Sequence, residues 1–211
     1  LPRLYVDVSN IARKDAATGI QRVVRAVWEA LQEKSGVEFE VVPVAASATW
    51  CYRRVPHDFL SRPLRRLPLN WGKARLSPQK GDVFLGLDLS TRVMPRNASQ
   101  LRQWRSRGVL LSFVTYDLLP VLHPDWFKDK SVRYFRGWLD FVTREADCFA
   151  CISKAVADDM AHWIDGHDLP APVIAPIRLG AAIGSSRPSV GMPSNSADIL
   201  DWVRAGTCAM M

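Results

Sequence analysis

The sequence predicts an α/β fold, a doubly wound parallel sheet with helices packed on both faces. Three observations lead there. Short apolar runs recur along the 211 residues with few polar interruptions, the pattern of strands buried on both sides. Amphipathic helical stretches alternate with those runs, as a sheet assembled from strand–helix–strand units requires. Several runs also stop at a carboxylate, most abruptly where residues 109–115 (VLLSFVT) give way to Tyr116, Asp117 and the prolines Pro120 and Pro124.

Taken in order, residues 4–8 alternate as a strand. After a polar loop, residues 20–31 place Ile20, Val23, Val24, Val27 and Leu31 on one helical face. The start of that helix is marked by Thr18 as N-cap and Gln21 three residues on, a capping box, with Gly19 between them. A second strand is expected at 39–44 and a third at 83–89, the third ending at Asp88. Asn97 is expected to cap a helix that turns Leu101 and Trp104 inward, and Gly108 to stop it before the strand at 109–115. Residues 131–146 form the next helix, burying Phe135, Trp138, Leu139 and Val142, followed by a strand at 148–152. Ser153 caps a helix carrying Val156, Met160, Trp163 and Ile164, Gly166 ends it, and 173–177 is the last strand of this layer. Residues 1 to about 183 therefore read as one Rossmann-like layer. The Gly, Ser, Pro and Asn content of 184–195 marks a flexible linker, and 196–211 read as a short helix and the start of a strand.

Composition narrows the function. Nearly half of the residues are apolar, enough for a substantial core, and no run of about 18 apolar residues offers a membrane span. The net charge of +7 invites an anionic partner. The cations are spread along the chain without a nucleic-acid-binding signature, so no nucleic acid is expected. In the densest basic stretch, 53–75, Leu60, Leu64 and Leu67 face one way and Arg62, Arg65 and Arg66 the other, an arrangement that suits contact with anionic lipid. Pro63 and Pro68 limit that helix to about two turns; a solvated basic loop is the alternative. Four cysteines in a chain of this size suggest a reducing, cytoplasmic setting. Cys148 and Cys151 lie three apart in a strand, on opposite faces, so buried thiols are expected there and no metal site. Leu1 and the apolar end at Met211 read as cuts made in a longer protein.

Ligands of open α/β sheets bind outside the carboxyl ends of the strands, so Asp117, Asp88 and Asp7 are candidates to orient hydroxyl groups. For Asp117 the alternative is an aspartate that caps the following turn. For Asp7 it is pairing with Arg22 or capping of the loop after its strand. Gly19 at a helix N-terminus offers an anion access to free N–H groups at the positive end of the helix.

Four motifs, in this order, carry a resemblance: Ala17-Thr18-Gly19-Ile20-Gln21-Arg22-Val23; Tyr116-Asp117-Leu118-Leu119-Pro120 with His123-Pro124; Ala146-Asp147 leading to Ile152-Ser153-Lys154-Ala155-Val156; and Pro176 with Leu179-Gly180-Ala181. Together they resemble the N-terminal domain of GT-B glycosyltransferases of family 4, particularly bacterial enzymes that add mannose or a related sugar to surface polysaccharides. The resemblance implies a retaining, metal-independent transferase whose N-terminal half binds a glycan or lipid-linked acceptor. A C-terminal half, absent here, would grip the nucleotide-sugar, GDP-mannose by resemblance, through an E-x7-E motif.

Residue by residue, the resemblance implies that Thr18, Gly19 and Ile20 meet the donor phosphate. It implies that Asp117 is the aspartate of the family's His-Asp pair, with Tyr116 standing where the histidine is usual. Tyr116 or His123 would supply the missing hydrogen-bond donor. Ser153 matches a family serine at a helix start and, with Asp88 and Asp7, is expected on the acceptor side. The implied place is the cytoplasmic face of the inner membrane, with Arg62, Arg65 and Arg66 touching its anionic surface. A non-catalytic glycan- or anionic-membrane-binding module is the alternative reading. A nucleotide-dependent oxidoreductase is disfavoured, because the first strand–helix turn lacks G-x-G-x-x-G.

Overall fold

The computed structural model describes residues 1–61, 76–167, 169 and 171–179. Arg62, Arg65 and Arg66, together with the linker and C-terminal helix expected at 184–211, lie outside the described residues. The described strands are β1 (Arg3–Asp7), β2 (Glu40–Ala45), β3 (Arg53–Arg54), β4 (Val83–Gly86), β5 (Leu110–Thr115), β6 (Cys148–Cys151) and β7 (Val173–Pro176). They join in one sheet in the order β3-β2-β1-β4-β5-β6-β7. Every neighbouring pair is parallel except β2 with the two-residue edge strand β3. The chain thus winds outward from β1 in both directions, the Rossmann-like arrangement expected, and all parallel strands point their carboxyl ends to one edge.

Consecutive strand residues face opposite sides, and two cores follow. On one face Tyr5, Val42, Phe84, Phe113 and Phe149 pack under the helices α3 (Ala98–Arg105), α5 (Asp129–Glu145) and α6 (Lys154–Asp165). Phe84 and Phe113 lie 6.1 Å apart and Phe113 and Phe149 6.2 Å apart, so an aromatic row crosses three adjacent strands. On the other face Val6, Val41 and Val114 pack under α1 (Ser9–Arg13) and α2 (Gly19–Lys34). The buried line of α2 is Gln21, Val24 and Trp28, with Ile20, Val23, Val27 and Leu31 flanking it half-buried. The helical period was legible, but the seam runs through Trp28, which the expected face did not include.

Two local expectations are corrected. The polar loop expected after β1 begins with α1, because its first N–H groups find carboxylate acceptors outside the helix (below). Asn97 precedes α3 but its side chain does not cap it. Its Nδ2 donates to the Ser47 and Val93 carbonyls, at 3.1 and 2.9 Å, and so ties the loop after β2 to the one after β4. Gly108 ends the α3 segment at φ +85°, a conformation that glycine adopts without the Cβ penalty.

Gly86, on β4, is where the aromatic row constrains the backbone most. A Cβ there would lie 2.5 Å from Cδ1 of the fully buried Phe113 and 3.1 Å from Met94 Cε. Gly86→Ala is therefore expected to destabilise the chain by about 1–3 kcal/mol through overpacking. Urea unfolding should show this as a lower midpoint with an unchanged m-value; a midpoint equal to that of the parent chain would mean that the Phe113 ring moves at no cost.

Candidate active site at the carboxyl edge of the sheet

Two buried carboxylates build the floor of this edge. Asp7, the last residue of β1, and Asp88, just beyond β4, are 0 % and 3 % exposed. Asp7 Oδ1 accepts the Ser9 N–H at 2.9 Å and the Ser9 hydroxyl, while its Oδ2 accepts the Tyr52 hydroxyl at 3.1 Å. Asp88 Oδ2 accepts the N–H groups of Asn10 and Ile11, each at 2.8 Å. The opening N–H groups of α1 are thus satisfied by two acids from two strands, which lets a five-residue helix form there. Ser9 Oγ also accepts the Ala46 N–H at 2.9 Å, drawing in the end of β2. These acids do not look into a crevice. The expectation that Asp7 and Asp88 orient an acceptor is corrected on that ground: burial and backbone donors occupy them.

Burial pushes the Asp7 carboxyl up to about 7, with the neighbouring Asp88 charge adding to the rise, against the Ser9 hydrogen bonds that hold it down. Burial also raises Asp88, opposed by its bonds from Ile11 and Asn10. One negative charge shared by two nearby acids is easier to accommodate than two.

The loop before α2 is held by Gln21. Its Oε1 accepts the Ala16 N–H at 2.7 Å, its Nε2 donates to the Lys14 carbonyl at 2.9 Å, and its N–H is capped by Thr18 Oγ1, the capping box expected. Ala17 sits at φ +53° inside this loop, an uncommon conformation for a residue with a Cβ. Thr18 and Gly19 are exposed and Ile20 half-buried. The Gly19 and Ile20 N–H groups have no acceptor among the described residues, so the positive end of a 16-residue helix faces outward.

Asp117 follows β5 and is half-buried on this same edge. Its Oδ1 accepts the Leu119 N–H at 3.1 Å, which closes the turn into the short helix α4 (Leu119–Leu122); its Oδ2 has no partner among the described residues. Tyr116 is 5 % exposed and donates its hydroxyl to the Leu87 carbonyl at 2.8 Å. The expectation that it donates to a sugar is corrected, because that hydroxyl is spent joining the ends of β5 and β4. His123 is exposed and stacked on Trp126, with ring centroids 4.2 Å apart. Ser153 Oγ accepts the Val156 N–H at 3.2 Å, the N-cap of α6.

A cavity of about 280 Å³ opens between the segments that follow β1, β2 and β4, lined by Asn10, Arg13, Ala48, Thr91, Arg92 and Arg96 among others. None of these was singled out in the sequence. Arg13 stands three residues after Asn10 in α1, and Arg92 and Arg96 stand four apart around a proline, so no single stretch signals the cluster. Only the chain order of the sheet brings them together.

No protein-family model matches the chain. Against curated proteins, 99 % of the chain aligns with the Escherichia coli serotype-specific mannosyltransferase WbdA, at 33 % identity over 216 positions in one form of that protein and 34 % in two others. Along nearly its whole length the chain is therefore similar in sequence to a part of that mannosyltransferase. The chain spans about a quarter of the length of those curated relatives.

The pH response of the chain follows from this floor. With Asp7 raised from 3.8 to about 7 on folding, the native state holds the proton more tightly than the unfolded chain. Its contribution to stability is fully present below about pH 4 and is lost as the pH rises through 7. Asp7→Asn keeps the Oδ1 acceptor for Ser9 and removes the titration. Urea midpoints measured from pH 4 to 8 should fall with pH in the parent chain and fall less in the variant, by an amount of a few kcal/mol at most. Equal slopes would mean that Asp7 ionises in the native state as it does in the unfolded chain.

Proposed function

We propose that this chain is the acceptor-side domain of a two-domain GT-B enzyme of family 4. It would transfer mannose from a nucleotide-sugar such as GDP-mannose, with retention, onto a bacterial surface polysaccharide or a lipid-linked glycan. The likeness along the whole chain to a mannosyltransferase supports the activity. The observation that carries the site is topological: a parallel sheet sets the outward N–H groups of Gly19 and Ile20 and the Oδ2 of Asp117, unpartnered among the described residues, on one edge.

In this reading the N-terminus of α2 lies against the phosphates of the departing nucleoside diphosphate. Fixed backbone dipoles there oppose the growing negative charge without having to reorganise. Asp117, already oriented by its bond from Leu119, accepts a hydrogen bond from a sugar hydroxyl through Oδ2 and positions it. His123, on the exposed loop, supplies the donor that Tyr116 cannot. Thr18 holds the start of α2, and Ser153, the N-cap of α6, stands on the acceptor side. No metal is assigned a role. The second domain of the same enzyme would complete the donor site, at the cytoplasmic face of the inner membrane, with Arg62, Arg65 and Arg66 as the membrane contact.

Two substitutions in the complete protein test this with little disturbance of the fold. Asp117→Asn retains the Oδ1 acceptor for Leu119 and replaces the charged Oδ2 acceptor with an N–H donor; mannose transfer should fall about 100-fold or more with the thermal midpoint unchanged. Transfer at the parent rate would remove Asp117 from the site. At Gly19 an added Cβ meets nothing within 4 Å, and alanine favours the helix. Gly19→Ala should therefore be at least as stable as the parent yet transfer more slowly, with a raised KM for the donor. An unchanged KM would detach the donor phosphate from this helix end.

A further inference from the structure

We propose that the cavity walled by Arg13, Arg92 and Arg96 is an anion site that takes a phosphate or diphosphate ester. Placing that ester on the acceptor rests on the transferase reading; the anion site itself does not.

Three features of the structure carry it. First, Arg13, Arg92 and Arg96 line the cavity together with Asn10 and Thr91, and among the described residues no acidic one lines it. Five arginines elsewhere on the surface are matched: Arg3 and Arg54 with Glu40, Arg25 with Asp15, Arg102 and Arg105 with Glu145. Arg13, Arg92 and Arg96 have no carboxylate partner among the described residues. Three like charges around one concavity repel one another until an anion enters, and guanidinium donors match phosphate oxygens in pairs.

Second, the walls are tied together, so the backbone that carries the cations is held in place. Asn10 Nδ2 donates to the Leu89 carbonyl at 2.7 Å and fixes α1 against the segment after β4. Asn97 fixes the segment after β2 against the same region through Ser47 and Val93. The Arg92 guanidinium lies over the Tyr134 ring, 5.0 Å from its centroid. Such stacking orients the plane while its edge N–H donors stay available. Third, the size selects: at about 280 Å³ the cavity is below the range of about 300–1,000 Å³ typical for whole drug-sized ligands. It suits a charged group attached to something larger outside, and its place beyond β1, β2 and β4 is on the same edge as Asp117.

The test is calorimetric titration of the chain with inorganic pyrophosphate, in the parent and in Arg92→Gln, Arg96→Gln and Arg105→Gln. Arg105 pairs with Glu145 at the far end of α3 and serves as the charge-matched control. Saturable binding is expected in the parent, weakened about tenfold or more in the first two variants, unchanged in the control, and weakened by added salt. Absence of saturable binding in the parent, or equal loss in the control, overturns the site. Two further arms separate the sources of the phosphate. Phosphatidylglycerol vesicles that displace pyrophosphate, when phosphatidylcholine vesicles do not, point to a lipid headgroup; failure of both to displace it points to a soluble ester. Absence of mannose transfer by the complete protein, with pyrophosphate binding intact, would count against the transferase reading alone.

Discussion

Two carboxylates removed from water hold the carboxyl edge of this sheet together. An unpaired buried charge is costly, so Asp7 and Asp88 must collect donors, and the donors they collect belong to two different parts of the chain. Asp7 takes the backbone and hydroxyl of Ser9 and the hydroxyl of Tyr52 from the loop after β2. Asp88 takes the amides of Asn10 and Ile11. Satisfying the acids and starting α1 are the same set of hydrogen bonds. A polar residue at either position lacking an acceptor oxygen would leave helix amides unsatisfied inside the protein, a loss at both ends of one bond.

The rest of the edge follows from that anchor. With α1 fixed at its first turn, Arg13 at its last turn is carried to the rim. Ser9 Oγ relays the contact to Ala46 beyond β2, and Tyr116 binds the Leu87 carbonyl, so side chains connect the ends of β2, β1, β4 and β5. Side-chain bonds of this kind give a loop region the rigidity that a ligand site needs, while the aromatic row from Phe84 to Phe149 keeps the strands below in register. Burying acids costs stability near neutral pH, and the cost falls where the chain gains a fixed surface.

Much of the fold was legible because it rests on local signals. The capping box of Thr18 and Gln21, the inward face of Phe135, Trp138, Leu139 and Val142, and the cap at Ser153 each depend on residues within one or two turns. Asp7, Asp88 and Tyr116 were recognisable as strand-end residues, but whether such a side chain points outward or serves the backbone is decided, for Asp88 and Tyr116, by partners 78 and 29 positions away. Asn97 shows the same limit, since a residue suited to capping a helix was used instead to join two loops. The arginine cavity left no trace in any one segment, because Arg13 and Arg92 become neighbours only through the pairing of β1 with β4.

The edge therefore offers two kinds of positive potential with different physics. At Gly19 it comes from backbone dipoles, short in range, fixed in direction and without counter-ions to displace. At Arg13, Arg92 and Arg96 it comes from full charges, longer in range and screened by salt. A transferase of the kind proposed must let a nucleoside diphosphate go after each transfer while its acceptor stays for the bond to form. A dipolar grip, which strengthens only as charge develops close to it, suits the group that departs. A cluster of guanidinium groups, which draws an anion in from a distance, suits the partner that has to be found and kept.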